Sequence, residues 1–354
     1  MTLQTIDTLS ILICLNFITG RFMIITRTPF RISFFGGGTD YPAFYKEHNG
    51  AVLSTTINKY CYINCRFLPP FFDYKYRIRY TKRETVNDVS QIQHPTVREC
   101  LKLCNIEQGV EMVHTSDIPA RSGVGSSSAF TVGFLNALYA LRGKMTTKRQ
   151  LGREAIYIEQ EMARENVGSQ DQVAAAFGGL NRIEFGGERE FFVNPITISE
   201  SKKSILQDNL LLFFTGFART ASNIAGEQIR LTPERTKELN EMKGFVDEAC
   251  SILNGSSKSI DDFGKLLHES WMIKRELTGL ISNKDIDDIY ETAISAGALG
   301  GKLCGAGGGG FIIFYVPSNK QQNVRKRLSQ LLHVPFGFDS LGSQIIMYST
   351  QDFF

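Results

Sequence analysis

The residues best suited to chemistry are the glycines and hydroxyls crowded into Ser116–Phe130, SDIPARSGVGSSSAF. Gly123 and Gly125, with Val124 between them, let the backbone turn tightly and approach a ligand. Ser126, Ser127 and Ser128 then open a segment, SSSAFTVGFLNALYALR, with a helical pattern. Free N–H groups and the positive dipole end at a helix start favour an anion. The stretch therefore fits a phosphate cradle, and it equally fits plain N-capping by serine in a glycine turn. No lysine precedes the serines as it would in a P-loop, so a phosphate held here needs positive charge from elsewhere.

Two further glycine clusters lie beside strand-like segments: TPFRISFFGGGTDYP, residues 28–42, and GGKLCGAGGGGF, residues 300–311. Six of the eight residues in CGAGGGGF are Gly or Ala, which calls for close backbone approach to a ligand or to a neighbouring element. Charged candidates stand near these clusters: Arg31 and Asp40 in the first, and Asp171 in GSQDQVAAAFGG. Glu159 and Glu161 fall in IEQEMARENVGSQDQ.

Composition narrows the class. The chain has 354 residues, a 42% hydrophobic fraction, 21% charged residues and a formal charge of +3, as expected for two domains or one large one. The charge is too small to argue for nucleic acid and leaves room for local cationic sites. Seven cysteines form no CxxC or zinc-ligand spacing, which points to reduced thiols in a cytoplasm. The apolar run Ile11–Ile18 is too short to span a bilayer, and no positive segment precedes it. Residues 1–22 are read as an extension upstream of the functional domain. No membrane partner is expected.

The elements that must position the candidate residues follow from pattern. Ile24–Phe35 reads as a strand interrupted by Pro29, and GAVLSTTINKYCYINCRFL as further β structure. A helix is expected over Pro95–Cys104, a strand over Gly109–Thr115, and an amphipathic helix over TKRQLGREAIYIEQEMAR. A hairpin, GGLNRIEFGG with REFFVNPI, leads to the buried strand NLLLFFTGF. Helices then cover Ala221–Arg230, Pro233–Leu253, Ser259–Leu277 and Lys284–Ala296, and a strand, a helix (NKQQNVRKRLSQLL) and a strand (SQIIMYST) close the chain. The class is α+β, with a β-rich first part over 23–200 and a second part over 201–354.

Three glycine motifs in this order resemble those of the GHMP kinase superfamily, over a match running from Met23 to the C-terminus. The resemblance implies a two-domain fold, a ribosomal-S5-like α/β domain followed by a ferredoxin-like α+β domain, with the active site between them. It also implies ATP as phosphoryl donor and Mg²⁺ as cofactor. FFGGGTDYP and GSQDQVAAAFGG resemble the sugar-1-kinase branch. LPPFFDYKYRIRYTKRE, HPTVREC and LLLFFTGFARTAS resemble the heptose 7-phosphate kinases within it. The expected reaction is phosphorylation of the anomeric hydroxyl of D-glycero-D-manno-heptose 7-phosphate. Fucose or galactose as substrate, or a sugar sensor without turnover, are the alternatives.

By this resemblance Asp171 is the base and Arg31 the cation beside it. Residues 123–128 hold the nucleotide, and Ser127 with Glu159 holds Mg²⁺, Glu161 being the second choice. Gly37, Gly38, Thr39 and Asp40 face the sugar, and Gly305, Ala306 and Gly307 line the site near the transferring phosphate. Where galactokinases carry Glu and His, Gly37 and Gly38 leave room for a larger sugar. A distal phosphate needs its own cations, drawn from Arg66, Lys75, Arg77, Arg79 and Arg219; Lys302 is a further candidate near the glycine loop. His94 and Trp271 are expected to be structural. A monomer or homodimer acting on a small sugar phosphate completes the expectation.

Overall fold

The computed structural model describes residues 23–69, 71–187, 190–216, 221–255 and 259–349. The extension 1–22 and Arg219 lie outside these.

A mixed sheet forms the first layer. Its strands are β1 (Met23–Phe35), β2 (Gly50–Phe67), β3 (Tyr76–Arg79), β4 (Arg83–Val86), β5 (Val110–Ser116), β6 (Leu180–Phe185) and β7 (Phe191–Pro195). The long β2 is the spine. It pairs antiparallel with β1 along one edge, and on the other with β6 through Gly50–Thr55 and with β5 through Cys61–Phe67. Pro29, expected to interrupt the first strand, sits instead at a register shift inside a continuous β1. A shift of this kind leaves the prolyl nitrogen out of the hydrogen-bond ladder.

The second sheet is antiparallel, in the order β11–β8–β10–β9: β8 (Leu210–Phe214), β9 (Gly300–Leu303), β10 (Phe311–Tyr315) and β11 (Leu332–His333). The last strands, β12 (Phe338–Asp339) and β13 (Gln344–Ser349), return to the first sheet and pair with β2 and β1.

Helices cover both sheets: α1 (Pro42–His48), α2 (Pro95–Leu103), α3 (Ser126–Leu141), α4 (Lys148–Tyr157), α5 (Gln170–Phe177), α6 (Glu200–Asp208), α7 (Ala221–Leu231), α8 (Thr236–Asn254), α9 (Asp261–Glu276), α10 (Lys284–Ala296) and α11 (Gln321–Arg327). Helix α3 is buried almost all round, as its apolar sequence requires, and lies on β1 and β2. The edges of Phe34 and Phe35 meet Phe263 of α9, with ring centroids 5.3 and 5.0 Å apart, which joins β1 to the second layer. Trp271, fully buried on α9, packs against Tyr290 and is a core residue. The helix expected to run through Arg164 ends at Tyr157, and Ile158–Met162 winds as a π turn.

The described cysteines, Cys61, Cys65, Cys100, Cys104, Cys250 and Cys304, are free and buried. Among the described residues no helix is long and apolar enough to cross a membrane.

Candidate active site

Arg31 projects from the middle of β1 and is 4% exposed. Its Nε and Nη2 donate to the two carboxylate oxygens of Asp171, each at 2.7 Å, and its Nη1 donates to the Gly123 carbonyl at 2.8 Å. One planar guanidinium thus fixes a carboxylate and the glycine loop together, which suits its fork geometry. Asp171 stands in the first turn of α5, where the helix dipole favours a negative charge. Its side chain keeps 23% exposure, so the carboxylate is held but still open to the cleft.

The loop before α3 comes against this pair. Gly125 is the N-cap with φ +75°, and no side chain caps the helix, so serine capping is not what the glycine–serine stretch is for. The N–H groups of Ser126, Ser127 and Ser128 occupy the first turn, where no intrahelical acceptor exists. A Cβ on Gly125 would lie 3.2 Å from Arg31 Cγ and 3.3 Å from Asp171 Oδ2. The helix N-terminus, the arginine and the carboxylate therefore share one spot.

The two other glycine motifs close around it. A Cβ at Gly123 would reach the Cys304 carbonyl at 2.6 Å, one at Gly305 would reach Gly123 Cα at 2.7 Å, and one at Gly307 would reach Ile281 Cα at 2.7 Å. The third cluster thus touches the second backbone to backbone. The first makes the turn at residues 36–40. Gly38 N and Gln170 N donate to the Asp40 carboxylate at 3.0 and 3.3 Å, so Asp40 ties this turn to the start of α5. Burial, with the Asp171 charge second, raises the Asp40 pKa. The Thr39 hydroxyl is engaged with the Gly36 and Ala51 carbonyls at 2.8 and 2.9 Å and acts as a backbone staple.

Glu159 sits on the π turn, wholly buried. Ser128 and Gln172 donate to its Oε2 at 2.8 and 2.5 Å, and Thr131 to its Oε1 at 2.5 Å. Burial pushes its pKa up to about 7. The hydroxyl that meets Glu159 is Ser128's; Ser127, the residue expected there, is exposed and not bonded to it. Glu161 is exposed. Among the described residues no group of three or more His, Cys, Asp or Glu is placed to hold a metal. A hard cation here would rest on one carboxylate with hydroxyl oxygens.

Two lysines complete the charge around the cleft, and only Lys302 was legible in sequence. Lys274 of α9 and Lys302 of β9 are 5% and 2% exposed, and neither has a carboxylate within 4.0 Å among the described residues. Lys274 Nζ donates to the Gly305 carbonyl at 2.7 Å, and Lys302 Nζ to the Phe34 carbonyl at 3.0 Å. Burial lowers both pKa values, that of Lys274 to about 8. Arg31, Lys274 and Lys302 act electrostatically with Asp40 in one cluster, and Lys274 with Asp171 as well.

The basic strand residues are elsewhere. Arg66 and Arg77 both pair with Glu111, at 2.6 and 2.7 Å. Arg66 is ten positions along β2 from Thr56, the partner of Arg31, a separation of roughly 30 Å. Lys75 and Arg79 flank Arg77 on the same chain segment. A small cavity does open beside Gly38, lined by Tyr41, Gln228, Thr232 and Arg235. Arg235 went unnoticed in the sequence because it lies in an ordinary helical charge pattern. His94 is structural: its Nδ1 accepts from Val97 N at the start of α2, and its ring stacks on Phe130, 5.0 Å away.

Comparison with known proteins matches residues 92–179 to the GHMP kinases N terminal domain and 245–334 to the GHMP kinases C terminal domain. The chain is 32% identical over 323 residues to D-glycero-alpha-D-manno-heptose 7-phosphate kinase of Campylobacter jejuni, covering 86% of this chain and 93% of the relative. A solved D-glycero-D-manno-heptose 1-phosphate kinase from Bacteroides thetaiotaomicron superposes with TM-score 0.68 at 23% identity, over 92% of this chain and 100% of that one. The Lactococcus lactis galactokinase solved with galactose superposes with TM-score 0.68 at 18% identity, over 93% and 95% of the two chains.

Proposed function

The chain belongs to the GHMP kinases and is an ATP-dependent sugar kinase; on that premise we propose that it transfers the γ-phosphoryl group of ATP to the anomeric hydroxyl of D-glycero-D-manno-heptose 7-phosphate, giving the 1,7-bisphosphate. The observation that carries the reaction is the Arg31–Asp171 fork set against the open N-terminus of α3. The choice of sugar is supported by the 32% identity to the Campylobacter heptose 7-phosphate kinase.

In this reading the γ-phosphate lies on the N–H groups of Ser126–Ser128, in the field of the helix dipole. The anomeric oxygen attacks phosphorus, its O–H proton passes to Asp171, and the bridging P–O bond breaks to release ADP. Asp171 can accept that proton because Arg31 orients it and leaves one side open to the cleft. Arg31, already beside the Gly123 carbonyl, offsets charge spreading over the transferring oxygens.

Magnesium fits the residues present. The Glu159 carboxylate is buried and pairs with no cation among the described residues, and the buried Gln172 Oε1 has no partner there. Glu159 with the Ser128 and Thr131 hydroxyls makes an all-oxygen donor set suited to a hard cation. Glu159 with Ser128 would hold it, and Ser127 is the next hydroxyl of the same turn. When bound, Mg²⁺ would neutralise phosphate charge. We assign the distal phosphate to Arg235, which lines the small cavity beside Gly38 and pairs with Glu238 at 3.0 Å, a partner the phosphate would displace.

The test is ADP release over a panel of phosphorylated and unphosphorylated sugars, with the product's phosphate positions assigned by NMR. Preferred turnover of heptose 7-phosphate with new phosphorus at C1 is expected. Preferred turnover of free fucose or galactose would overturn the choice of sugar.

A further inference from the structure

The polar groups around Gly37 are arranged in a way that neither the base nor the phosphate loop explains. A Cβ built on Gly37 would be 3.9 Å from Ser33 Oγ, 4.0 Å from Gln170 Nε2 and 4.0 Å from Lys274 Nζ. Three elements, β1, α5 and α9, thus aim a hydroxyl, an amide and an ammonium at the space over one glycine. All three residues are more than nine-tenths buried.

They are also under-satisfied. Ser33 Oγ and Gln170 Oε1 are buried without any hydrogen-bond partner. Lys274 spends one of its three N–H groups on the Gly305 carbonyl, and no carboxylate among the described residues lies within 4.0 Å of it. Orphaned buried polar groups weaken a fold unless something fills them. Here the cost falls at one point, on the wall of the cleft next to the Arg31–Asp171 pair. Strand alternation puts Ser33 on the same face of β1 as Arg31, and Gln170 immediately precedes Asp171.

The atoms facing that space are two N–H donors, Lys274 Nζ and Gln170 Nε2, and one hydroxyl that can donate or accept. A sugar hydroxyl both donates and accepts. We propose that Lys274, Ser33 and Gln170 form the pocket that grips a hydroxyl of the acceptor sugar, with Lys274 Nζ and Gln170 Nε2 donating and Ser33 Oγ donating or accepting. Gly37 lacks a side chain because the sugar occupies that space. This inference rests on the 36–40 turn being the sugar's end of the cleft; it does not depend on which sugar is the substrate.

The experiment uses the full chain with whichever sugar it phosphorylates best, and measures sugar KM, kcat, ATP dissociation constant and thermal midpoint for Lys274→Met, Ser33→Ala and Gln170→Leu. Lys274→Met should raise sugar KM at least tenfold with ATP affinity within twofold of wild type. Because it removes a buried unpaired charge, it should leave the midpoint unchanged or higher. Ser33→Ala should raise sugar KM several-fold, also without loss of stability. A general structural role would lower the midpoint and weaken ATP and sugar together. If Lys274→Met costs ATP affinity as much as sugar affinity, the lysine serves the nucleotide and the proposal falls. It falls too if Ser33→Ala and Gln170→Leu both leave sugar KM within twofold of wild type. Failure of wild type on heptose 7-phosphate with turnover of another sugar would overturn the heptose reading and leave this test to run on that sugar.

Discussion

An Asp171→Asn substitution exchanges one carboxylate oxygen for an NH₂ group and keeps the size of the side chain. Two effects follow, and they separate by assay. The first is chemical: an amide cannot take the proton of the sugar hydroxyl. A positioned general base contributes about 10²–10⁴ in rate, or roughly 3–5 kcal/mol in the barrier. The second is structural. Arg31 donates to both oxygens of Asp171 at 2.7 Å, and in the variant one of these N–H groups faces an NH₂. A hydrogen bond to a charged group is worth about 1.5–3 kcal/mol, and less here because Asp171 is partly exposed, so a loss of about 1–2 kcal/mol is expected. At 2–4 °C per kcal/mol for domains of this size, the thermal midpoint drops by roughly 2–8 °C. ADP release should fall at least 100-fold while calorimetric ATP affinity stays within about threefold, because we assign the phosphate contacts to the start of α3. Arg31→Met combined with Asp171→Asn should cost far less than the two single losses added, since the pair acts as a unit. Turnover within tenfold of wild type would refute the base assignment. ATP affinity falling in step with turnover would show that the aspartate merely holds the loop.

Other consequences are open to simple measurement. Arg235→Gln should raise KM for heptose 7-phosphate tenfold or more and leave KM for an unphosphorylated sugar unchanged; an equal rise for both would remove Arg235 from the distal phosphate. Glu159→Gln should abolish the extra thermal stabilisation that Mg²⁺ adds to the ATP-bound protein and slow turnover at least tenfold; an undiminished Mg²⁺ shift would place the metal elsewhere. His114, packed against Phe130 at 5.2 Å, has its pKa lowered by burial and by His94 to about 4 from 6.5. A base depressed in the folded state gives its full stability above pH 6.5 and loses it as pH falls towards 4, about 3 kcal/mol over that window. Urea unfolding of His114→Gln should show a shallower loss of stability between pH 6.5 and 4.5 than wild type, and identical slopes would contradict this account.

What the sequence made legible, and what it hid, divides along a physical line. The three glycine clusters could be found because their constraint acts on the backbone. Gly125 needs a positive φ beside Arg31, and Gly123 and Gly305 pack Cα to Cα, so no other residue type fits and the pattern survives in one dimension. The strands were legible for a similar reason, since burial on β1, β2 and β10 writes apolar runs into the chain. The hydroxyl that meets Glu159 was harder. Ser126, Ser127 and Ser128 are the same residue at successive helix positions about 100° apart, so only the helix phase decides which one reaches Glu159; in the structure it is Ser128. The π turn that carries Glu159 shifts that phase again, and no sequence period announces it. Lys274 was invisible for the opposite reason. It stands three residues after Trp271, both buried on α9, but in sequence it reads as one more cation in the run Lys274–Arg275 near a helix end, where cations are usual. Its meaning depends on Ser33, 241 positions earlier, and Gln170, which share only the space above Gly37 with it. Backbone requirements leave a local signature, whereas a pocket assembled from single polar side chains on β1, α5 and α9 leaves none, and the residues that choose the sugar belong to the second kind.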